Sequence, residues 1–94
     1  MKKKILIVDD DALVLKTLEN LFLRQGYEVS CVKNSEEALQ RTAGDAFNLI
    51  VSDIRMPGSD GIEMLKKIRA NRVETPLVFI TGYASENTPI DALK

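Results

Sequence analysis

An α/β fold with one doubly wound parallel sheet is what the amino-acid sequence predicts, and three observations predict it. Short apolar runs alternate with amphipathic segments in the order β-α-β-α-β-α-β-α. The first run, Ile5 to Val8, has no polar alternation, as a parallel strand covered on both faces should not. The intervals between runs are short, which implies right-handed crossovers and helices on both faces of one sheet. With 94 residues, 45% of them hydrophobic and no linker, repeat or low-complexity tract, residues 1–94 read as one domain.

Each element carries its own signal. Ile5-Leu6-Ile7-Val8 is a buried strand that stops at Asp9. From about Asp11 to Gln25, Val14, Leu15, Leu18, Leu21 and Phe22 recur at helical spacing, and Gly26 stands where a left-handed C-terminal cap belongs. Tyr27 to Val32 is a second, more mixed strand. Asn34 can cap the helix that follows, with Glu37 reaching back from its third position, and this helix runs to about Ala43. Asn48 to Asp53 is the third strand and again ends on an aspartate. Asp60-Gly61-Ile62-Glu63 opens a third helix that continues through Leu65 and Ile68 to about Arg72. Pro76 to Ile80 is the fourth strand, leading into Thr81-Gly82, and Thr88-Pro89 looks like the cap and first residue of a short final helix.

Composition excludes several functions. Thirteen Lys and Arg against 14 Asp and Glu leave a formal charge of −1, so no broad basic field exists to bind nucleic acid. The chain has no His and one Cys, which rules out an imidazole-dependent triad, a zinc site of several Cys and His ligands, and an internal disulfide. The lone Cys31 reads as a small hydrophobe on the second strand and gives no sign of an oxidising compartment, so a cytoplasmic location is expected. No apolar stretch approaches the ~18 residues of a membrane span, and the apolar run after Lys2-Lys3-Lys4 is too short for an export signal.

In open parallel sheets ligands bind at the carboxyl ends of the strands, near the point where the strand order reverses. The residues at those ends are Asp9, Asp10, Asp53 and Thr81. Carboxylates held a few ångströms apart repel unless one takes up a proton or a cation joins them. Mg²⁺ suits the place, because it prefers oxygen ligands, accepts one or two carboxylates and keeps waters that a phosphate oxygen can replace. A third carboxylate can then act as nucleophile in phosphoryl transfer. Taken singly, Asp9, Asp10 and Asp11 could each be residues favoured at a helix start and Asp53 could merely end a strand, and for Asp11 the helix-start reading is preferred.

The sequence resembles the receiver domain of bacterial two-component response regulators. The resemblance rests on Ile5-Leu6-Ile7-Val8-Asp9-Asp10, on Leu49 to Gly58 with Asp60-Gly61, and on Val78-Phe79-Ile80-Thr81-Gly82, in order and on the expected elements. It implies a flavodoxin-like sheet of order 2-1-3-4, with Asp53 as phospho-acceptor and Asp10 and Asp53 ligating Mg²⁺. It further implies that Asp9 supports the metal through water and that the backbone carbonyl of Arg55 is the third protein ligand. Thr81 resembles the switch hydroxyl that bonds the phosphoryl group, with Gly82 adding a backbone N–H. The partner implied is a histidine kinase or phosphotransfer protein, and the chain is not expected to be an enzyme beyond its own phosphorylation and dephosphorylation. Tyr83 could gate water access or pack on the surface, and Met56-Pro57-Gly58 reads as a turn.

Members of the family continue into a fifth strand and helix, whereas this sequence stops at Lys94, before the strand that carries their phosphate-binding lysine. The expectation is a sheet whose fourth strand, Leu77 to Ile80, is an apolar edge, and a homodimer formed through that edge or by exchange of terminal segments, unless a longer parent chain supplies the missing strand. A receiver-like interaction module without productive phosphorylation is the alternative. A phosphohydrolase is weaker, since Arg55 stands where a second acid would be needed two residues after Asp53.

Overall fold

The computed structural model describes residues 2–56 and 59–80. Its main sheet is parallel, with β1 (Lys4–Val8), β2 (Glu28–Val32), β3 (Leu49–Asp53) and β6 (Leu77–Ile80) in the order β2-β1-β3-β6. This is the 2-1-3-4 order of the expectation. The fourth apolar run is β6 because the chain inserts a small antiparallel ladder, β4 (Arg55–Met56) with β5 (Ser59–Asp60), where only a turn was anticipated. Helix α1 (Ala12–Arg24) joins β1 to β2, α2 (Ser35–Gly44) joins β2 to β3, and α3 (Gly61–Ala70) follows the ladder. Thr81, Gly82, Tyr83, the Thr88-Pro89 helix start and Pro57-Gly58 lie outside the described residues.

The unbroken apolar character of β1 has a direct structural cause. Successive side chains of a strand point to opposite faces, and here both faces are covered. Leu6 and Val8 join Val32, Ala38, Phe47, Ile50, Met64 and Ile68 under α2 and α3. Ile5 and Ile7 join Leu15 and Val51 under α1, with Leu18, Phe22 and Ile80 packed around them. Cys31 belongs to this second layer and is half-buried.

Caps fix where the helices start and stop. Asp11 is the N-cap of α1, its Oδ1 accepting from the N–H groups of Leu13 at 2.9 Å and Val14 at 3.4 Å. Asn34 caps α2 by accepting from the Glu37 N–H, and Glu37 Oε1 accepts from the Lys33 N–H, one residue earlier than a reciprocal box would place it. Helix α1 ends in a Schellman motif: Gly26, at φ 93°, donates to Leu23 O, and Tyr27 donates to Phe22 O. The Phe22 and Tyr27 rings then meet edge to face with centroids 6.1 Å apart. Helix α3 ends the same way, with Arg72 donating to Arg69 O and Val73 to Ile68 O. That closure takes Arg72 into the left-handed region at φ 63°, so α3 stops at Ala70 and falls short of the expected Arg72.

Candidate metal and phosphoryl site

Strand register brings the acids together. Val8 pairs with Ser52 across β1 and β3, and the next residues are Asp9 and Asp53. By strand alternation both follow the α1-facing positions Ile7 and Val51. Asp9 still belongs to the ladder, since its N–H donates to Val32 O at 3.1 Å, whereas Asp10 has left the sheet and is exposed. One ligand atom from each of Asp9, Asp10 and Asp53 falls within 4.8 Å of the others.

The three carboxylates sit in different surroundings. Asp9 is 1% exposed; its Oδ1 accepts from the Asp11 N–H at 2.9 Å, and its buried Oδ2 has no hydrogen-bond partner among the described residues. Burial pushes the Asp9 carboxyl above its ordinary 3.8, the Asp11 N–H opposes that, and the negative charges of Asp53 and Asp10 push it higher still. An orphaned carboxylate oxygen beside two other acids is a set of hard oxygen donors with too little positive charge among them. Such a set fits a small divalent cation such as Mg²⁺.

Asp53 is half-buried at the end of β3, with its position held through the backbone. The fully buried Ser52 donates its Oγ–H to the Asp53 carbonyl at 2.8 Å. Next along the chain, the Ile54 carbonyl accepts from the Gly61 N–H at 2.9 Å, and Arg55 pairs with Asp60 in the β4–β5 ladder. The segment that follows the proposed nucleophile is thereby tied to the first turn of α3, whose N-cap Asp60 accepts from Ile62 N–H at 2.8 Å.

Of the residues singled out in the sequence, the structure gathers Asp9, Asp10 and Asp53, and it assigns Asp11 to the helix cap. Arg55 is placed in β4, while Thr81 and Gly82 lie outside the described residues. Sequence reasoning passed over Ser52 and the packing role of Gly61. A hydroxyl inside an apolar strand was the available signal for the first, and a glycine at a helix start, where alanine would propagate better, for the second.

The family model of the response regulator receiver domain matches residues 5–94. The regulatory protein AtoC of Escherichia coli K12 is 40% identical over 91 residues, 97% of this chain and 20% of that protein. The chain thus spans about a fifth of the length of the first curated relatives it matches. Among solved structures, a receiver domain protein from Methanospirillum hungatei is 34% identical with a TM-score of 0.83, over 99% of this chain and 74% of that one. The response regulator TrrA of Thermotoga maritima, solved with Mg²⁺-BeF, is 30% identical with a TM-score of 0.80, over 97% of this chain and 79% of that one. TrrA has also been solved in complex with the histidine kinase ThkA.

Proposed function

The chain belongs to the receiver domain family of response regulators, and on that premise we propose that it is a Mg²⁺-dependent phospho-acceptor whose nucleophile is Asp53. The observation that carries the proposal is the meeting of Asp9, Asp10 and Asp53 at two adjacent strand ends, with one buried carboxylate oxygen unpartnered. Asp10 and Asp53 would ligate the metal directly with the Arg55 carbonyl, and Asp9 would hold it through water. Bound there, Mg²⁺ supplies the positive charge that offsets the phosphoryl oxygens.

In the transfer step an Asp53 carboxylate oxygen attacks phosphorus. The new P–O bond forms as the P–N bond to the donor histidine breaks, and the electron pair leaves on the imidazole nitrogen. The product is an acyl phosphate. The chain has no His to serve as donor, so the phosphoryl group comes from a partner histidine kinase or phosphotransfer protein. The kinase complex formed by the similar TrrA supports that partner class. Thr81 and Gly82 would capture the phosphoryl oxygens through a hydroxyl and an N–H. Catalysis is then confined to the domain's own phosphorylation and dephosphorylation. No helix among the described residues is long and apolar enough to cross a membrane, and the cytoplasmic location expected from the sequence is part of the proposal.

The test is incubation with acetyl phosphate and Mg²⁺, read by intact mass. One phosphoryl group should be added, be removed by hydroxylamine, and be absent in Asp53→Asn or in the presence of EDTA. Modification on a Ser or Thr, or none in the wild-type chain, would refute the proposal.

A further inference from the structure

We infer that Gly61 is a positioning residue for the metal site, acting through the Asp53 carbonyl; the inference rests on the reading of Asp53 given above. Gly61 is the first residue of α3, yet it is not required there by backbone conformation, since Gly26 is the one glycine with positive φ among the described residues. Apart from proline, glycine is the poorest helix former, so its presence at this point calls for another cause.

That cause is space. A Cβ built on Gly61 would stand 2.8 Å from the Asp53 carbonyl oxygen, 2.8 Å from Phe79 Cε1 and 3.1 Å from Ile54 Cα. The Phe79 ring can turn aside, because it is the end of a side chain. The Asp53 carbonyl cannot easily recede, because it also accepts the buried Ser52 hydroxyl at 2.8 Å. Nor can Gly61 simply back away, since its own N–H is bonded to Ile54 O at 2.9 Å. Gly61 is therefore clamped against the peptide groups that follow the proposed nucleophile on β3. Any side chain there must displace the Asp53–Ile54 backbone or the start of α3, and displacing the former moves the Asp53 carboxylate relative to Asp9 and Asp10.

Two consequences separate this role from plain packing. Gly61→Ala should weaken Mg²⁺ binding about tenfold, the scale seen when groups that orient a metal ligand are altered. Adding Phe79→Leu to Gly61→Ala relieves the ring contact and leaves the carbonyl contact, so it should recover at most part of the lost thermal stability and none of the Mg²⁺ affinity. Ile68→Val, which removes one methylene from the buried face of the same helix, should lower stability and leave Mg²⁺ affinity at the wild-type value.

The experiment titrates MgCl₂ calorimetrically into the wild type, Gly61→Ala, Phe79→Leu, the Gly61→Ala/Phe79→Leu pair and Ile68→Val, with the thermal midpoint of each recorded in EDTA. If Gly61→Ala alone fails to fold, the comparison of Phe79→Leu with the double variant carries the same test. Wild-type affinity in Gly61→Ala or in the double variant overturns the inference, as does affinity recovering in step with the midpoint. Absence of Mg²⁺ binding in the wild-type chain overturns the metal site itself and is distinguishable from either.

Discussion

Replacing Asp9 by Asn should make the metal-free protein more stable. The wild-type carboxylate is 1% exposed, has one oxygen with no partner, and lies with a ligand atom within 4.8 Å of atoms of both Asp10 and Asp53. At that separation, like charges repel by about 0.9 kcal/mol at the dielectric of water and about 3.5 kcal/mol at an effective value of ~20. Asp10 is exposed and Asp53 half-buried, so screening keeps the sum of the two repulsions near the water limit, at roughly 2 to 3 kcal/mol. Asparagine keeps an acceptor for the Asp11 N–H and puts an amide donor in place of the orphaned oxygen. For a domain of this size the gain corresponds to about 4 to 8 °C in Tm per kcal/mol.

The assay is thermal unfolding of both proteins in EDTA and in Mg²⁺ at several pH values. Because burial and its acidic neighbours raise the folded-state pKa of Asp9, the folded protein holds that proton more tightly than the unfolded chain does. The penalty is therefore absent below the ordinary value of 3.8 and develops as pH rises through the raised one. The advantage of Asp9→Asn should vanish in acid and be full at neutral pH. In the wild type, Mg²⁺ at ~100 times its dissociation constant adds about 2.7 kcal/mol, and the variant should gain less. A variant less stable than wild type in EDTA at pH 7, or one stabilised as much by Mg²⁺, would refute the account of Asp9.

Four further outcomes are expected. Asp11→Ala should cost about 1 kcal/mol in urea denaturation through loss of the α1 cap, while Asp11→Asn should leave both stability and calorimetric Mg²⁺ affinity nearly unchanged. Leu6→Ala, at a fully buried position of β1, should cost about 2 to 5 kcal/mol in the same measurement. Arg72→Gly should be stabilising by up to ~1 kcal/mol, because a side chain in the left-handed region is strained and glycine is not. The Lys4–Asp45 ion pair, 2.8 Å apart and partly exposed, holds the Lys4 ammonium above and the Asp45 carboxyl below their usual ranges. Its small contribution should be lost as pH falls through the depressed Asp45 value, and Lys4→Met should remove that acid dependence from a pH series of Tm values.

The four parallel strands and three helices were legible because their residues are constrained by burial. Ile5 to Val8 is apolar at every position since two layers cover it, and Leu15, Leu18 and Phe22 recur at the spacing of one helix face. The meeting of Asp9, Asp10 and Asp53 was legible for the related reason that acids directly after apolar strands must lie at one edge of the sheet. What the letters did not disclose was the difference between Asp9 and Asp10. It arises because the Asp9 amide still bonds to β2, and pairing of that kind is written in no local pattern. The β4–β5 ladder has two residues a side, too few to carry a periodicity. Arg72 is left-handed because the hydrogen bonds that end α3 require it, and arginine carries no signal of that conformation.

The order of the sheet also governs when the acids first meet as the chain folds. Strand β1 finds β2 across 24 residues, as in the Lys4–Glu28 pair, but finds β3 across 44, as in Ile5–Leu49. Closing the longer loop costs about 0.5 kcal/mol more in chain entropy, and the β1–α1–β2 unit can form without it. Until β3 docks, Asp53 is remote from Asp9 and Asp10, so their mutual repulsion is felt only once that longer closure is made. A divalent cation that joins the three carboxylates accordingly acts on a contact made late in folding. Its kinetic mark is a slower unfolding limb of the denaturant chevron beside a folding limb that scarcely moves.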